Sequence, residues 1–241
     1  MTHYLYQHGT LAYLVEGMFE GSLTMAELLQ QGNFGIGTLE GLDGEVTILN
    51  GTAYHADSSG EVRILSEKET VQTLIPYGSV SNFDSKLSKK EKLVHTDLDE
   101  MKHRTLKLAK TNNALLSVHI KGNFQNVKIR IMPKQVVPYP RLVEVSDQQP
   151  EYEYASLSGD IIGFFTPSLL SGVAAPGFHL HFLSEDKKVS GHLLFAHAVN
   201  GKLEVQLVNS LLQHFPTVCP RFNDLIIKTD QLHAEMLQAE N

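Results

Sequence analysis

Residues 177–192 read Gly-Phe-His-Leu-His-Phe-Leu-Ser-Glu-Asp-Lys-Lys-Val-Ser-Gly-His, and this stretch decides the fold that we predict. Side chains two positions apart on a strand point to the same face, so His179 and His181 are expected side by side. A polar segment follows and favours a turn. Folding the chain about the Asp186-Lys187 bond places His192 opposite His181, on the same face. The stretch therefore predicts a β-hairpin with three histidines on one face.

Three converging imidazoles are typical of catalytic zinc, which is held by three protein side chains while a fourth position stays open. The sequence thus predicts one zinc ion per chain, bound by His179, His181 and His192. His197 is an odd number of positions from His192 and is expected on the opposite face. A single histidine is more often a core or surface residue, but three on one face have little structural purpose.

Strand-like runs and turn dipeptides dominate the rest of the chain. A three-stranded meander is predicted over 34–42, 45–49 and 52–55, because Asp43-Gly44 and Asn50-Gly51 are typical hairpin turns. Further strands are predicted at 114–120, 126–132, 159–165, 177–183, 189–196 and 203–209. Helices are predicted at 25–31, at 88–111 as one or two surface helices, and at 230–240.

These elements predict an α+β fold with two strand-rich lobes, mixed β-sheets and few peripheral helices, with the metal site on a β-hairpin. We expect one catalytic domain over 1–241, with lobes of about 1–110 and 111–241.

Composition excludes several classes of function. Hydrophobic residues make up 42% and charged residues 20% of the 241 residues, as in ordinary globular proteins. The net charge of -7, without a long Lys/Arg cluster, argues against nucleic-acid binding. No export signal and no run of roughly 18 apolar residues is found, so we expect no membrane association and a cytoplasmic location. The glycines of 32–37 do not match a dinucleotide fingerprint, so no nucleotide cofactor is expected.

Three further charged residues are candidates for the site. Arg130 lies between two isoleucines on a predicted strand, where a guanidinium usually faces an anion or a cavity, although a solvated outward face fits equally well. Glu45 follows the Asp43-Gly44 turn, and Glu240 lies in the C-terminal tail. Taken alone, each glutamate is most simply an exposed, inert acid.

Six motifs, in this order, carry a resemblance to a known family. They are Gly-Asn-Phe-Gly-Ile-Gly-Thr (32–38), Leu-Asp-Gly-Glu (42–45), Arg-Ile-Met-Pro-Lys-Gln (130–135), Gly-Phe-Phe-Thr-Pro (163–167), Gly-Phe-His-Leu-His-Phe (177–182) and Ser-Gly-His (190–192). Together they span most of the chain. The sequence resembles the acetolactate decarboxylases. It departs from the family pattern at Ser190, where a second glycine is expected, and over 139–154.

The resemblance implies a carboxy-lyase that converts (S)-2-acetolactate to (R)-acetoin and carbon dioxide. It assigns zinc to the three histidines, places Arg130 against the substrate, and gives Glu45 a place in the site. A glutamate of the tail is also expected to reach the metal; Glu240 is our choice and Glu235 the reserve. Acetolactate is the expected small-molecule partner, and a homodimer remains an open alternative.

The implied chemistry needs a sink for electrons. Loss of carbon dioxide from this β-keto acid leaves an enediolate, which a bound cation would stabilise. Arg130 would orient the departing carboxylate, and Glu240 or Glu45 would deliver the proton.

Two other functions remain open. A cupin-type oxygenase or isomerase would use His179, His181 and Glu185 with His197 as the distant histidine, although no Pro-x-Gly precedes His197. A non-catalytic metal-binding module would fill every coordination position. An open position beside Arg130 would favour the decarboxylase.

Overall fold

The structure is a computed structural model that describes residues 3–146, 148–227, 232, 234 and 235. In chain order the first elements are β1 (Tyr4–His8), α1 (Leu11–Val15), β2 (Leu23–Thr24), α2 (Met25–Leu29), β3 (Phe34–Leu39), β4 (Asp43–Leu49), β5 (Thr52–Ala56), β6 (Val62–Ile64), α3 (Glu67–Gln72), β7 (Leu74–Ile75) and β8 (Tyr77–Ser81). They continue as β9 (Lys89–Asp97), α4 (Leu98–Ala109), β10 (Leu115–Arg130), α5 (Leu142–Ser146), β11 (Glu151–Thr166), a 3₁₀ turn (Ser168–Leu170), β12 (Gly177–Ser184), β13 (Ser190–Val208), β14 (Ser210–His214) and α6 (Pro220–Asp224).

The first sheet has the strand order β14-β1-β8-β3-β4-β5-β6 and is mixed, because β1 and β14 run parallel. Its centre is the predicted meander of β3, β4 and β5, which is confirmed. Asn50 and Gly51 both adopt left-handed backbone angles, as a tight hairpin turn requires. The predicted first helix is also confirmed as α2, which begins with a capping box between Thr24 and Glu27.

The second sheet has the order β10-β11-β12-β13-β9 and is antiparallel, and β10 pairs with β13 as well. Strands β10 to β13 therefore close into a ring. The histidine hairpin forms part of this ring, with His181 opposite His192 as predicted. On its other side His192 pairs with Arg130. Three of the predicted site residues thus lie in one row across three neighbouring strands.

Several predicted strands are parts of longer ones. The predicted pairs 114–120 with 126–132, and 189–196 with 203–209, are continuous as β10 and β13. Gly122 and Asn123 pair with Gly201 and Asn200 across the two strands, where the register shifts next to Asn123. A side chain at Gly122 would overlap the Asn200 carbonyl. Glycine and asparagine therefore allow a bend and a close approach here and do not end the strands.

The prediction of helices over 88–111 is wrong in its first half. β9 is an outer strand of the second sheet, paired with β13, and only Leu93 and Thr96 are buried on it. Its charged side chains face solvent, as is common on sheet edges. The helix begins later, at α4, where Asp97 caps the N-terminus. The predicted helix over 230–240 lies largely outside the described residues.

Apolar side chains hold the two sheets together. A cluster between them joins Leu5, Phe34 and Ile36 of the first sheet to Ile162 and Phe164 of the second. The strand-rich α+β prediction is confirmed, with two large sheets and a small two-stranded sheet formed by β2 and β7. None of the described helices combines the length and the apolar run needed to cross a bilayer.

Candidate active site

The three predicted metal ligands lie together at the end of the ring. One possible ligand atom from each of His179, His181 and His192 lies within 4.8 Å of the others. His181 and His192 are buried, and His179 is half-buried. In the part of the chain that the structure describes, this is the one group of three His, Cys, Asp or Glu side chains placed to hold a metal ion. The hairpin therefore brings the histidines together as its register predicts.

His181 is prepared to act as a ligand. Its Nδ1 lies 3.2 Å from the Thr47 hydroxyl. Its Nε2 is buried and has no hydrogen-bond partner among the described residues. Burial, followed by the nearby His179, holds the pKa of His181 well below its usual value, while a hydrogen bond to the Val46 carbonyl opposes the shift. The ring is therefore neutral at physiological pH, and its lone pair is available to a cation.

Glu45 reaches the same histidine from the other sheet. Its Oε2 lies 3.4 Å from His181 Nε2, and the side chain is only 10% exposed. Gly44 precedes it with φ +68°, and a side chain there would lie 2.1 Å from the Ala56 carbonyl oxygen. The Leu-Asp-Gly-Glu motif thus needs its glycine so that β4 can present Glu45 to the histidines. A carboxylate and three imidazoles, one of which has a buried ring nitrogen without a hydrogen-bond partner among the described residues, fit a divalent transition metal.

Arg130 is the last residue of β10 and is buried, with 7% of its surface exposed. It lines the same cavity as Glu45, His179 and His192. Gly191 allows the strands to approach here, because a side chain on it would lie 2.9 Å from the Arg130 carbonyl oxygen. The guanidinium therefore borders the cavity, which is one of the two placements that the sequence left open.

The cavity has a volume of about 50 Å³ and is lined by both polar and apolar residues. The volume suits a small molecule rather than a polymer. The polar side is formed by Glu45, Arg130, His179 and His192. The apolar wall belongs to a single core cluster and consists of Leu11, Leu14, Leu42, Tyr77, Met132 and Leu142. A polar substrate with small apolar groups would meet a matching surface on each side.

Sequence reasoning missed several residues of the site. Thr38 and Gln149 line the cavity, and Thr47 contacts His181. Thr38 lies in a quoted motif, and Thr47 is two positions from Glu45 on β4, so period-two spacing could have indicated it. Gln149 lies in the segment that departs from the family pattern, and no local signal marks it.

The tail is only partly described, and Glu240 lies outside the described residues. Leu232 packs against the cluster that forms the apolar wall. Glu235, the reserve candidate, makes two contacts of 2.8 Å with the Arg141 guanidinium, which also contacts Glu16 at 3.0 Å. The described tail residues therefore dock beside the cavity, with Glu235 held by Arg141.

The cupin ligand set is not assembled. Glu185 is exposed in the hairpin turn. The ring of His197 lies 6.0 Å from that of His95, and His197 is not part of the metal-binding group. Its odd offset from His192 sends it away from the site, as predicted.

Comparisons with known proteins agree with this geometry. Residues 5–229 match the family model for alpha-acetolactate decarboxylase. The chain is 33% identical to the alpha-acetolactate decarboxylase of Streptococcus thermophilus, over 98% of both proteins. It is 36% identical to that of Lactococcus lactis subsp. lactis, over 90% of both.

Solved structures share the fold. A Staphylococcus aureus protein, described as of unknown function and similar to alpha-acetolactate decarboxylase, has a TM-score of 0.93 at 38% identity, covering 98% of this chain and 100% of that one. The alpha-acetolactate decarboxylase of Bacillus subtilis strain 168 has a TM-score of 0.92 at 24% identity, over 99% of both chains, which shows the common fold. With both sequence and architecture in agreement, the chain belongs to the alpha-acetolactate decarboxylase family.

Proposed function

We propose that the protein is a zinc-dependent decarboxylase that converts (S)-2-acetolactate to (R)-acetoin and carbon dioxide. The observation that carries the proposal is one small cavity bordered by two of the three clustered histidines, Glu45 and Arg130. Family membership supports acetolactate as the substrate. The choice of zinc rests on the three-histidine donor set with room for a further ligand.

The polar side of the cavity suits the charged end of the substrate. Arg130 would bind the carboxylate in a two-point, charge-assisted contact and so hold the bond to be broken in a fixed direction. The methyl groups would lie against the apolar wall of leucines and Met132, which also excludes water. These contacts would select an orientation in which the ketone and hydroxyl oxygens face the histidines.

Decarboxylation breaks the bond between the carboxylate carbon and the hydroxyl-bearing carbon. The electron pair stays on that carbon and is shared with the neighbouring ketone as an enediolate. When bound by His179, His181 and His192, a zinc ion would supply Lewis-acid stabilisation of this charge. Carbon dioxide leaves, and one proton is needed on the carbon to give acetoin.

A carboxylic acid is the natural proton donor, and we propose Glu45 and Glu240 for this role, with Glu235 in reserve. Glu45 is favoured by its position against His181 and within the cavity. Glu235 is held in an ion pair with Arg141, which makes it a positioning residue for the tail. Delivery of the proton to one face of the enediolate would give a single enantiomer of acetoin.

The site draws residues from both sheets, with Glu45 on β4 and the histidines on β12 and β13. We therefore propose that 1–241 acts as one catalytic domain and that its lobes do not function separately. We also propose a cytoplasmic location and leave a homodimer open as the assembly.

The proposal is tested by mixing purified protein with racemic acetolactate, with and without a chelator, and measuring carbon dioxide and the enantiomers of acetoin. We expect release of carbon dioxide with (R)-acetoin in excess, loss of both in chelator, and recovery on adding zinc. Metal binding without turnover would indicate instead a module in which Glu45 closes the fourth position.

A further inference from the structure

Two buried hydroxyl groups lie behind the metal-binding face of His181. Thr47 Oγ1 is 3.2 Å from His181 Nδ1 and 3.0 Å from Ser190 Oγ. All three residues are 1% exposed or less. Thr47 belongs to the first sheet, whereas His181 and Ser190 belong to the second. The three side chains form a dry hydrogen-bonded chain between the sheets.

The direction of these hydrogen bonds depends on which ring nitrogen of His181 carries the proton. Nε2 has no hydrogen-bond partner among the described residues, and ligation of a metal at this nitrogen requires the ring proton to lie on Nδ1. Thr47 then accepts from Nδ1–H and has its own proton left to donate to Ser190. In this arrangement Nε2 carries a lone pair and faces the site.

The spacing on β4 gives this arrangement its geometry. Glu45 and Thr47 are two positions apart on one strand and therefore share a face. Glu45 lies against Nε2 of His181, and Thr47 contacts Nδ1. One strand of the first sheet thus contacts both ring nitrogens of a ligand on the second.

We propose that Thr47 and Ser190 are positioning residues that hold His181 in its Nε2-ligating tautomer and so raise the affinity of the site for its metal. The proposal rests on the metal binding proposed above. Without the Thr47 hydroxyl, the ring would lose a restraint on both tautomer and rotation, and part of the binding free energy would be needed to restore them. Ser190 acts through Thr47, because it orients the hydroxyl that accepts from the ring.

A second hydroxyl pair supplies a matched control. Ser81 of β8 and Ser117 of β10 also bridge the two sheets, with Oγ atoms 2.8 Å apart and both side chains buried. Neither serine lies on the strands that carry the three histidines. The effect of removing a buried bridging hydroxyl can therefore be compared between a pair that contacts a proposed metal ligand and a pair that serves as its control.

The experiment measures the dissociation constant for zinc by competition with a chromophoric chelator. Thr47→Val, which keeps the shape and removes the hydroxyl, should weaken binding by roughly 10- to 100-fold. Thr47→Ser should restore most of the affinity. Ser190→Ala should have a smaller effect, and the double variant should bind no more weakly than Thr47→Val, since both act on one chain of hydrogen bonds. Ser117→Ala should lower the unfolding temperature without changing the dissociation constant.

A second measurement uses the metal-free protein. Long-range proton–nitrogen correlation spectra of the imidazoles should show the proton of His181 on Nδ1 in the parent protein and a mixture of tautomers in Thr47→Val. An unchanged tautomer and unchanged zinc affinity in a folded Thr47→Val variant would overturn the proposal. If the parent protein itself binds no zinc, the proposed function fails, and that failure is seen before any variant is compared.

Discussion

The Glu45 carboxylate lies 3.4 Å from Nε2 of His181, although the two residues belong to different sheets. An ion bound to this nitrogen would lie within reach of the carboxylate, since zinc bonds to nitrogen and oxygen are about 2.0–2.2 Å long. Glu45 is therefore placed either to occupy the open coordination position or to hold the proton that the product needs, and substrate arrival would favour the second role.

Glu45→Gln should bind zinc, but its turnover rate should fall by about 10²-fold or more, because the amide cannot donate a carboxylic proton. Product chirality gives a sharper measurement than rate. Acetoin formed by the variant should lose enantiomeric purity, since the enediolate would be protonated from solvent on either side. Pure (R)-acetoin from Glu45→Gln would assign proton delivery to another residue.

Removal of the residues after Leu237 should leave zinc content nearly unchanged and lower turnover by roughly 10²-fold or more, as expected for a lost general acid. Glu235→Gln is the matched variant, because it keeps Glu240 and weakens the contact with Arg141. Full turnover after truncation would make the final residues inert and leave Glu45 as the remaining donor.

His192→Ala should abolish metal binding and activity while the fold persists, because the ring of strands is held by its backbone pairing. Metal content and circular dichroism measure the two effects separately. His197→Ala, on the same strand but outside the metal-binding group, is the control and should keep its metal. Normal turnover by His192→Ala would disprove its assignment as a ligand.

Arg130→Lys should be much less active although the charge is kept. A lysine ammonium cannot reproduce a planar two-point contact with a carboxylate. We expect kcat/KM, measured on the metal-loaded variant, to fall. The affinity for zinc should change little. Near-native kinetics would instead place Arg130 outside substrate binding.

Acid should destabilise the first sheet through His8. Burial, followed by the neighbouring His214, lowers the pKa of His8 to about 4 from 6.5. The unfolded chain therefore binds a proton that the folded one does not, so stability is full above pH 6.5 and is lost as the pH falls towards 4. The difference amounts to at most about 3 kcal/mol. His8→Asn should flatten urea-unfolding stability over this range, whereas the exposed His103→Asn should not.

The histidine cluster could be predicted from sequence because its geometry depends on local rules. Period two places His179 with His181, and a short polar turn fixes the partner of His181. Contacts between the sheets could not be predicted in this way. The pairing of Thr47 with His181 joins residues 134 positions apart. Period-two spacing places Thr47 on the same face as Glu45 but does not specify its partner.

Other predictions were wrong because one local sequence pattern is compatible with two different structures. Gly122 and Asn123 are typical of a turn but serve as a bend within β10, which depends on the facing residues of β13. Residues 89–97 carry charges that suit a surface helix and an outer strand alike. Residues 89–97 form a strand because β13 lies alongside and pairs with them.

His181, His192 and Arg130 lie on one backbone ladder, so the relative positions of these three residues depend on strand pairing. The apolar wall has a separate origin, because Leu11 and Leu14 come from α1 and Leu142 from α5. Substitutions in these two short helices can reshape the space for the substrate's alkyl groups without displacing a ligand. The fit of the substrate's alkyl groups can consequently change while the histidine cluster stays in place.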